Sequence, residues 1–226
     1  TEGNISTDRI IAMLMVHEDQ LVVEEKGIYS IEKFLLARRL MYWSVYLHKT
    51  SFVAEEVLKR IILRARELLN QGTAIEASDD LLYFISTSHS SVDQIDIDHY
   101  TAIDDVDILS MVKAGVKHSD PVYASLCNMV LTRRLPKIKL SNEPFSNDFI
   151  EKKKNRAKTK FDISPENISY FIFEGVMKNM AYNLVQSPIL LIDKKGNTKE
   201  LLAGSDQSNL KMLTKAVMKY YCCYPK

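Results

Sequence analysis

The sequence predicts a mostly α-helical part, residues 1–135, followed by a smaller α+β part, residues 136–226. Three observations carry this division. A run from about Ile28 to Leu69 contains neither Gly nor Pro and repeats apolar residues at helical spacing, at Ile31, Phe34, Leu35, Val45, Phe52, Leu58 and Ile62. Helix start and stop signals continue to about Arg134. From Pro136 onward, short β-rich runs alternate with helical ones.

In chain order, Ser6 or Thr7 is placed to cap a helix over Asp8–Met15, and Leu21–Glu25 reads as a short strand. The Ile28–Leu69 run reads as one very long helix, which at about 1.5 Å per residue would span roughly 60 Å. Asn70, Gln71 and Gly72 form its stop signal. A short helix is expected at Asp79–Ile85 and a loop over the Ser/Asp-rich stretch Ser86–Asp98. Thr101 and Asp104 have capping-box spacing for a helix running to about Lys113. Pro121 sits near the first turn of the next helix, which ends near Arg134. Beyond Pro136 the expected order is a strand at Lys137–Leu140, a charged helix at Ser146–Lys160 and β-rich runs at Ser169–Glu174 and Ile189–Asp193. A turn at Lys194–Asn197 leads to Thr198–Leu202, then a helix at Asn209–Val217 and a closing strand at Lys219–Tyr224. That β-α-β-β-α-β order suggests a ferredoxin-like unit.

Composition excludes several classes. The net charge of +1 gives no global field drawing the chain to nucleic acid or membrane. No run of about 18 apolar residues is present, so no membrane-spanning helix is expected. The three cysteines, Cys127, Cys222 and Cys223, include no Cys-x-x-Cys pair, which favours reduced thiols and a cytoplasmic setting. Asp93, Asp96, Asp98, Asp104, Asp105 and Asp107 lack the spacing of a calcium loop and read as loop acids and helix-start charges. The basic run Lys152–Lys160 lacks the aromatic interleaving of a single-strand binding platform and reads as a solvated face.

The polar residues of the long run are ordered. Arg38, Tyr42, Tyr46 and Lys49 follow steps of four, four and three, which keep them on about one side of a helix. A guanidinium, two phenols and an ammonium on one stripe can hold phosphates at one end and a sugar or base at the other.

The segment Lys26–Leu35, leading into Ala37–Arg39 and Tyr46–Lys49, resembles the HD-domain deoxynucleoside triphosphate triphosphohydrolases, the dGTPase-like and sterile-alpha-motif/HD-domain dNTPases. The resemblance continues through Thr101–Asp105, Ser119–Pro121 and Thr132–Lys137 and covers roughly residues 5 to 140. It implies that the helical part is the C-terminal region of an HD-type domain. It places Arg38 at the family's triphosphate-contacting arginine and Tyr46 at the tyrosine that packs against the deoxyribose. Tyr42 stands where some relatives carry a histidine and is kept as a further substrate contact. Arg9, His48, Lys49, Arg133 and Lys137 match residues of an allosteric nucleotide site built between subunits, although Glu24 stands where the animal enzyme has a basic residue. The implied partners are deoxynucleoside triphosphates and further copies of the chain.

The family's chemistry rests on a divalent metal held by a His…His-Asp…Asp series. None of the five histidines, His17, His48, His89, His99 and His118, is followed by Asp. The expectation is therefore a C-terminal, substrate-wall and regulatory portion of a longer enzyme. Its metal ligands would lie upstream, with no cofactor and no catalytic residue in these 226 residues. Two other readings stay open: a non-catalytic oligomerisation module, and an HD phosphohydrolase acting on a different phosphorylated substrate.

Overall fold

The computed structural model describes residues 5–87, 91–161, 164–179, 182, 188–204 and 216–226, the side chains of 160 and 161 apart. The fold is mixed, with helices and two small sheets. By compactness the chain forms two units, Thr1–His48 with Val176–Tyr220, and Lys49–Gly175 with Tyr221–Lys226.

The first unit opens with helix α1 (Thr7–Ile11), shorter than the expected Asp8–Met15 helix because the chain turns at residues 12–13 and strand β1 (Leu14–His17) takes the last two. β1 turns back into β2 (Gln20–Glu24), pairing Leu14 with Val23 and His17 with Gln20. The two-residue loop between them puts Glu18 and Asp19 at φ 47° and 60°, the left-handed pair that matches the twist of a tight hairpin. Strands β5 (Leu190–Ile192) and β6 (Thr198–Glu200) complete a sheet of order β1-β2-β5-β6, in which β2 and β5 run parallel. The β5–β6 turn is tied by the Asp193 carboxylate, which accepts from the amides of Lys195 and Asn197 at 2.7 and 2.9 Å. Helix α2 (Ile28–Met41) covers the sheet. Its Ile28, Ile31 and Leu35 recur at helical spacing and pack with Met13, Val23, Leu191 and Leu201. A Cβ on Gly27 would lie 2.8 Å from the Met13 sulfur, so the start of α2 needs glycine for close approach.

The single long helix expected from Ile28 to Leu69 is not continuous. α2 passes into a π turn at Tyr42–Tyr46, and α3 begins only at Lys49 and runs to Asn70. In the turn the Leu47 amide donates to the Tyr42 carbonyl at 2.7 Å, a bond spanning five residues. The cause is local. Tyr-Trp-Ser-Val-Tyr concentrates aromatic and β-branched side chains, which lose rotamer freedom in a helix. The Ser44 hydroxyl also donates back to the Leu40 carbonyl at 2.7 Å, a bond that bends helices.

The second unit is built on α3, whose Phe52, Val53, Val57, Ile61, Ala65 and Leu68 form one buried face. Helices α4 (Asp79–Ser86) and α7 (Pro121–Leu131) pack on it. Arg66 Nε donates to the Ile85 carbonyl at 2.8 Å, satisfying the end of α4. Arg64 Nη2 reaches Asp120 Oδ2 at 2.6 Å, while Asp120 Oδ1 caps α7 through the Tyr123 amide at 2.7 Å. The stretch expected as loop, Ser86–Asp98, runs at its end into a short helix α5 (Ile97–Ala102). The next helix, α6 (Asp105–Gly115), is capped by Asp104 with Asp107 as the reciprocal partner; Thr101 ends α5 instead, donating to the Ile97 carbonyl. Gly115 lets α6 and α7 approach, since a Cβ there would lie 2.6 Å from the Cys127 sulfur.

Strand β3 (Lys137–Ser141), helix α8 (Asn147–Phe161), the short α9 (Ile168–Phe171), β4 (Phe173–Asn179), the one-turn α10 (Leu201–Gly204) and β7 (Val217–Tyr224) complete the described elements. The β-rich reading of Ser169–Glu174 thus holds only from Phe173, because Ile168 and Phe171 bury one helical turn. The second sheet has the order β3-β7-β4. The ferredoxin-like unit is not formed: β5 and β6 join β2 rather than this sheet, because Val22 and Val23 offer β5 a buried parallel edge. The helix expected at Asn209–Val217 falls outside the described residues except for Ala216 and Val217, the latter beginning β7.

Candidate functional site

The end of α2 and the π turn build one feature from contiguous sequence. The Arg38 guanidinium lies over the Tyr42 ring, 5.6 Å from its centroid. Tyr42 in turn packs on Tyr46 with ring centroids 5.0 Å apart and planes inclined by 43°. Three side chains four residues apart therefore form a ladder of cation, ring and ring within the first unit. The π turn helps to align it. Steps of four overshoot one turn of an α-helix, and the wider turn advances less per residue, returning Tyr46 towards Tyr42. Tyr46 is 60% exposed, so a solvent-facing ring is available at the open end of the ladder. Trp43 carries the Lys219 ammonium over its ring, 5.2 Å from the centroid.

Chemically, the ladder offers a planar cation for phosphate oxygens at one end and a flat apolar face with a hydroxyl at the other. Lys49 is separated from it by Leu47 and His48, which break the helical phase, so the fourth member of the sequence stripe opens the next helix instead.

The other site residues are placed as follows. Arg9 is exposed in the last turn of α1, and exposed His48 donates its amide to the Val45 carbonyl; both belong to the first unit. Lys49, Arg133 and Lys137 belong to the second unit and are exposed. Arg133 follows α7 at φ 55°, a left-handed position that favours glycine. A side chain kept there despite a cost of about 1 kcal/mol or more is a candidate for function. Among the described residues no group of three or more His, Cys, Asp and Glu is placed to hold a metal ion.

A buried polar network on α3 escaped the sequence reading. Glu56 is 8% exposed and accepts from Lys59 Nζ at 3.0 Å, Arg60 Nη1 at 2.9 Å and the Tyr221 hydroxyl at 3.2 Å. The Arg60 guanidinium stacks on Phe173, 3.3 Å from the ring centroid. Burial pushes the Glu56 carboxyl up, but the Arg60 and Lys59 bonds more than offset it and leave it below its ordinary value. Burial and the Glu56 charge push Tyr221 up to about 12. Glu56, Lys59 and Arg60 line, with Arg64, Glu67 and Tyr170, a depression of about 730 Å³ in the second unit. The available signal was the Glu56-to-Lys59 and Glu56-to-Arg60 spacing, which is indistinguishable in sequence from an exposed helical ion pair.

Residues 5–90 match the HD associated region family. Over all of its length the chain is similar to the crystal structure of a phosphohydrolase from Bacteroides thetaiotaomicron, with a TM-score of 0.87, 38% identity and 57% of that chain covered. A hypothetical protein from Aquifex aeolicus shares the fold at TM-score 0.60 and 18% identity, with 99% of this chain and 49% of that one covered. Among curated sequences, the uncharacterized protein YwfO of Bacillus subtilis is 28% identical over 133 residues, 59% of this chain and 30% of that protein. The uncharacterized protein MJ1154 of Methanocaldococcus jannaschii is 33% identical over 66 residues, 27% of this chain and 15% of that protein. The chain thus spans about half the length of these solved structures and less than a third of these curated relatives. No helix among the described residues is long and apolar enough to cross a membrane.

Proposed function

We propose that these residues form the substrate-wall and regulatory part of an HD-class phosphohydrolase that converts a deoxynucleoside triphosphate and water to deoxynucleoside and triphosphate. The observation that carries the reading is the Arg38–Tyr42–Tyr46 ladder beside a family match to an HD associated region. Arg38 binds phosphate oxygens, and Tyr46 packs its face on the sugar, where a 2′-hydroxyl would crowd the ring. Tyr42 holds both neighbours in place. In this reading the divalent metal that the reaction needs is held by residues of the longer protein. Arg9, Lys49, Arg133 and Lys137 then supply cations, and His48 a ring for hydrogen bonding, to a nucleotide site completed by further copies of the chain. Binding there favours the assembled form and so couples nucleotide to activity.

The test is dNTP turnover by the longer, metal-bearing protein in wild-type form and as Arg38→Ala and Tyr46→Ala. Both substitutions should lower kcat/KM for every dNTP hydrolysed, with the fold unchanged by circular dichroism. Wild-type kinetics in both variants would remove the ladder from the substrate site.

A further inference from the structure

A second concentration of positive charge lies in the other unit. Lys137 at the start of β3, Lys153 and Arg156 on α8, Tyr224 at the end of β7, and Pro225 and Lys226 beyond it line a pocket of about 140 Å³. Ala157, 3% exposed, belongs to the same lining. Lys153 and Arg156 stand three residues apart and therefore share a helix face. No Asp or Glu side chain contributes to the lining. The neighbouring Lys154 has a carboxylate partner, Glu151 at 2.8 Å, whereas Lys137, Lys153 and Arg156 have no ion pair among the described residues. Lys153 is held by rings instead, 3.7 Å from the Tyr224 centroid and 5.3 Å from that of Phe149. Those contacts orient the ammonium without neutralising it.

Cations gathered in a concave site repel one another until an anion enters, and the anion then gains charge-assisted hydrogen bonds from all of them. At about 140 Å³ the pocket has room for a phosphate group. The pocket does not stand alone. A groove of about 550 Å³, with Val122, Met129, Leu135, Pro136 and Phe171 in its walls, shares Pro225 and Lys226 with it.

We propose that the pocket takes the terminal phosphate of a phosphate monoester whose less polar body lies along the adjoining groove. A monoester suits the site because its dianionic end can be enclosed by the cations. A nucleic-acid strand would instead need a track open at both ends and free rings for stacking, and the Tyr224 face is already covered by Lys153. The inference does not rest on the substrate reading above. Lys137 alone is shared with the proposed regulatory set, and Lys153 and Arg156 decide the test.

The experiment is isothermal titration of this chain with phenyl phosphate, inorganic phosphate and a thymidine decamer without terminal phosphate. Phenyl phosphate should bind saturably at one site and more tightly than inorganic phosphate. Lys153→Gln with Arg156→Gln should weaken it by about tenfold or more, the loss expected for two charge-assisted contacts. Lys152→Gln with Lys154→Gln, a charge-matched change outside the lining, should leave it unaltered. Should the double variant melt early, Lys153→Met keeps the aliphatic stem against Tyr224 and should still show a clear loss. Phenyl phosphate binding that is absent, no tighter than inorganic phosphate, or indifferent to Lys153 and Arg156 would overturn the proposal. So would tighter capture of the decamer that depends on the same two residues.

Discussion

Arg38→Ala in the longer, metal-bearing protein is the perturbation that separates a phosphate-binding arginine from a solvated one. Arg38 is exposed, and its one described contact is the Tyr42 ring at 5.6 Å, so truncation removes little folding energy. At an exposed site that cation–π contact is worth about 0.5–1 kcal/mol. A charge-assisted bond to a phosphate oxygen is worth about 1.5–3 kcal/mol, which corresponds to roughly ten- to hundred-and-fifty-fold in kcat/KM. The kinetic loss should therefore exceed the stability loss. Arg38→Lys should recover only part of it, because an ammonium cannot offer the paired donors of a guanidinium. The assay is steady-state release of triphosphate with each dNTP, alongside thermal melts of the same preparations. A loss of kcat/KM under threefold in a folded Arg38→Ala protein would refute the phosphate role. A loss that only follows the change in melting temperature would do the same.

Other outcomes follow from the same structure. These 226 residues alone should release no triphosphate from any dNTP with Mg²⁺ or Mn²⁺, and EDTA-sensitive turnover absent from a mock preparation would contradict this. Arg133→Gly relieves a left-handed φ of 55° and should stabilise the fold by about 1 kcal/mol while weakening nucleotide-dependent activation; unchanged dGTP stimulation of dATP turnover would remove Arg133 from the regulatory set. Glu56 is held below its ordinary value of 4.5, so its contribution to stability is complete above about that pH and is lost as pH falls through the lower folded value. Glu56→Gln should therefore flatten the dependence of melting temperature on pH below about 4.5, which a parallel series of melts would reveal. Gly115→Ala places a methyl against Cys127 and Tyr123 and should cost about 1–3 kcal/mol in urea unfolding, with no effect on phosphate binding at α8.

The helices were legible where local chemistry set them. Pro121 opens α7 at its first turn, and of the α3 residues that the apolar spacing picks out Phe52 is buried while Leu58 and Ile62 are half-buried. The break at Tyr42–Tyr46 was not legible from Gly and Pro, because its cause is crowding by aromatic and β-branched side chains and one serine bond. Strand order failed for a different reason. Leu190–Ile192 has the apolar character of a buried strand in either sheet, and only the tertiary edge offered by β2 decides where it pairs. The Arg38–Tyr42–Tyr46 ladder was readable from its four-residue steps, and the structure adds the ring contacts that join it. Glu56 and Arg60 looked like an ordinary surface pair, since their burial depends on Phe173 and Tyr221, more than a hundred residues away in sequence.

Product analysis tests the central claim most directly. The longer, metal-bearing protein is incubated with dGTP and dATP, and the products are separated by ion-exchange chromatography and identified by mass. The account predicts deoxynucleoside and inorganic triphosphate in equal amounts, with release slowed by Arg38→Ala. Deoxynucleoside monophosphate with pyrophosphate, or no dNTP turnover by a preparation that hydrolyses another phosphate ester, would contradict it.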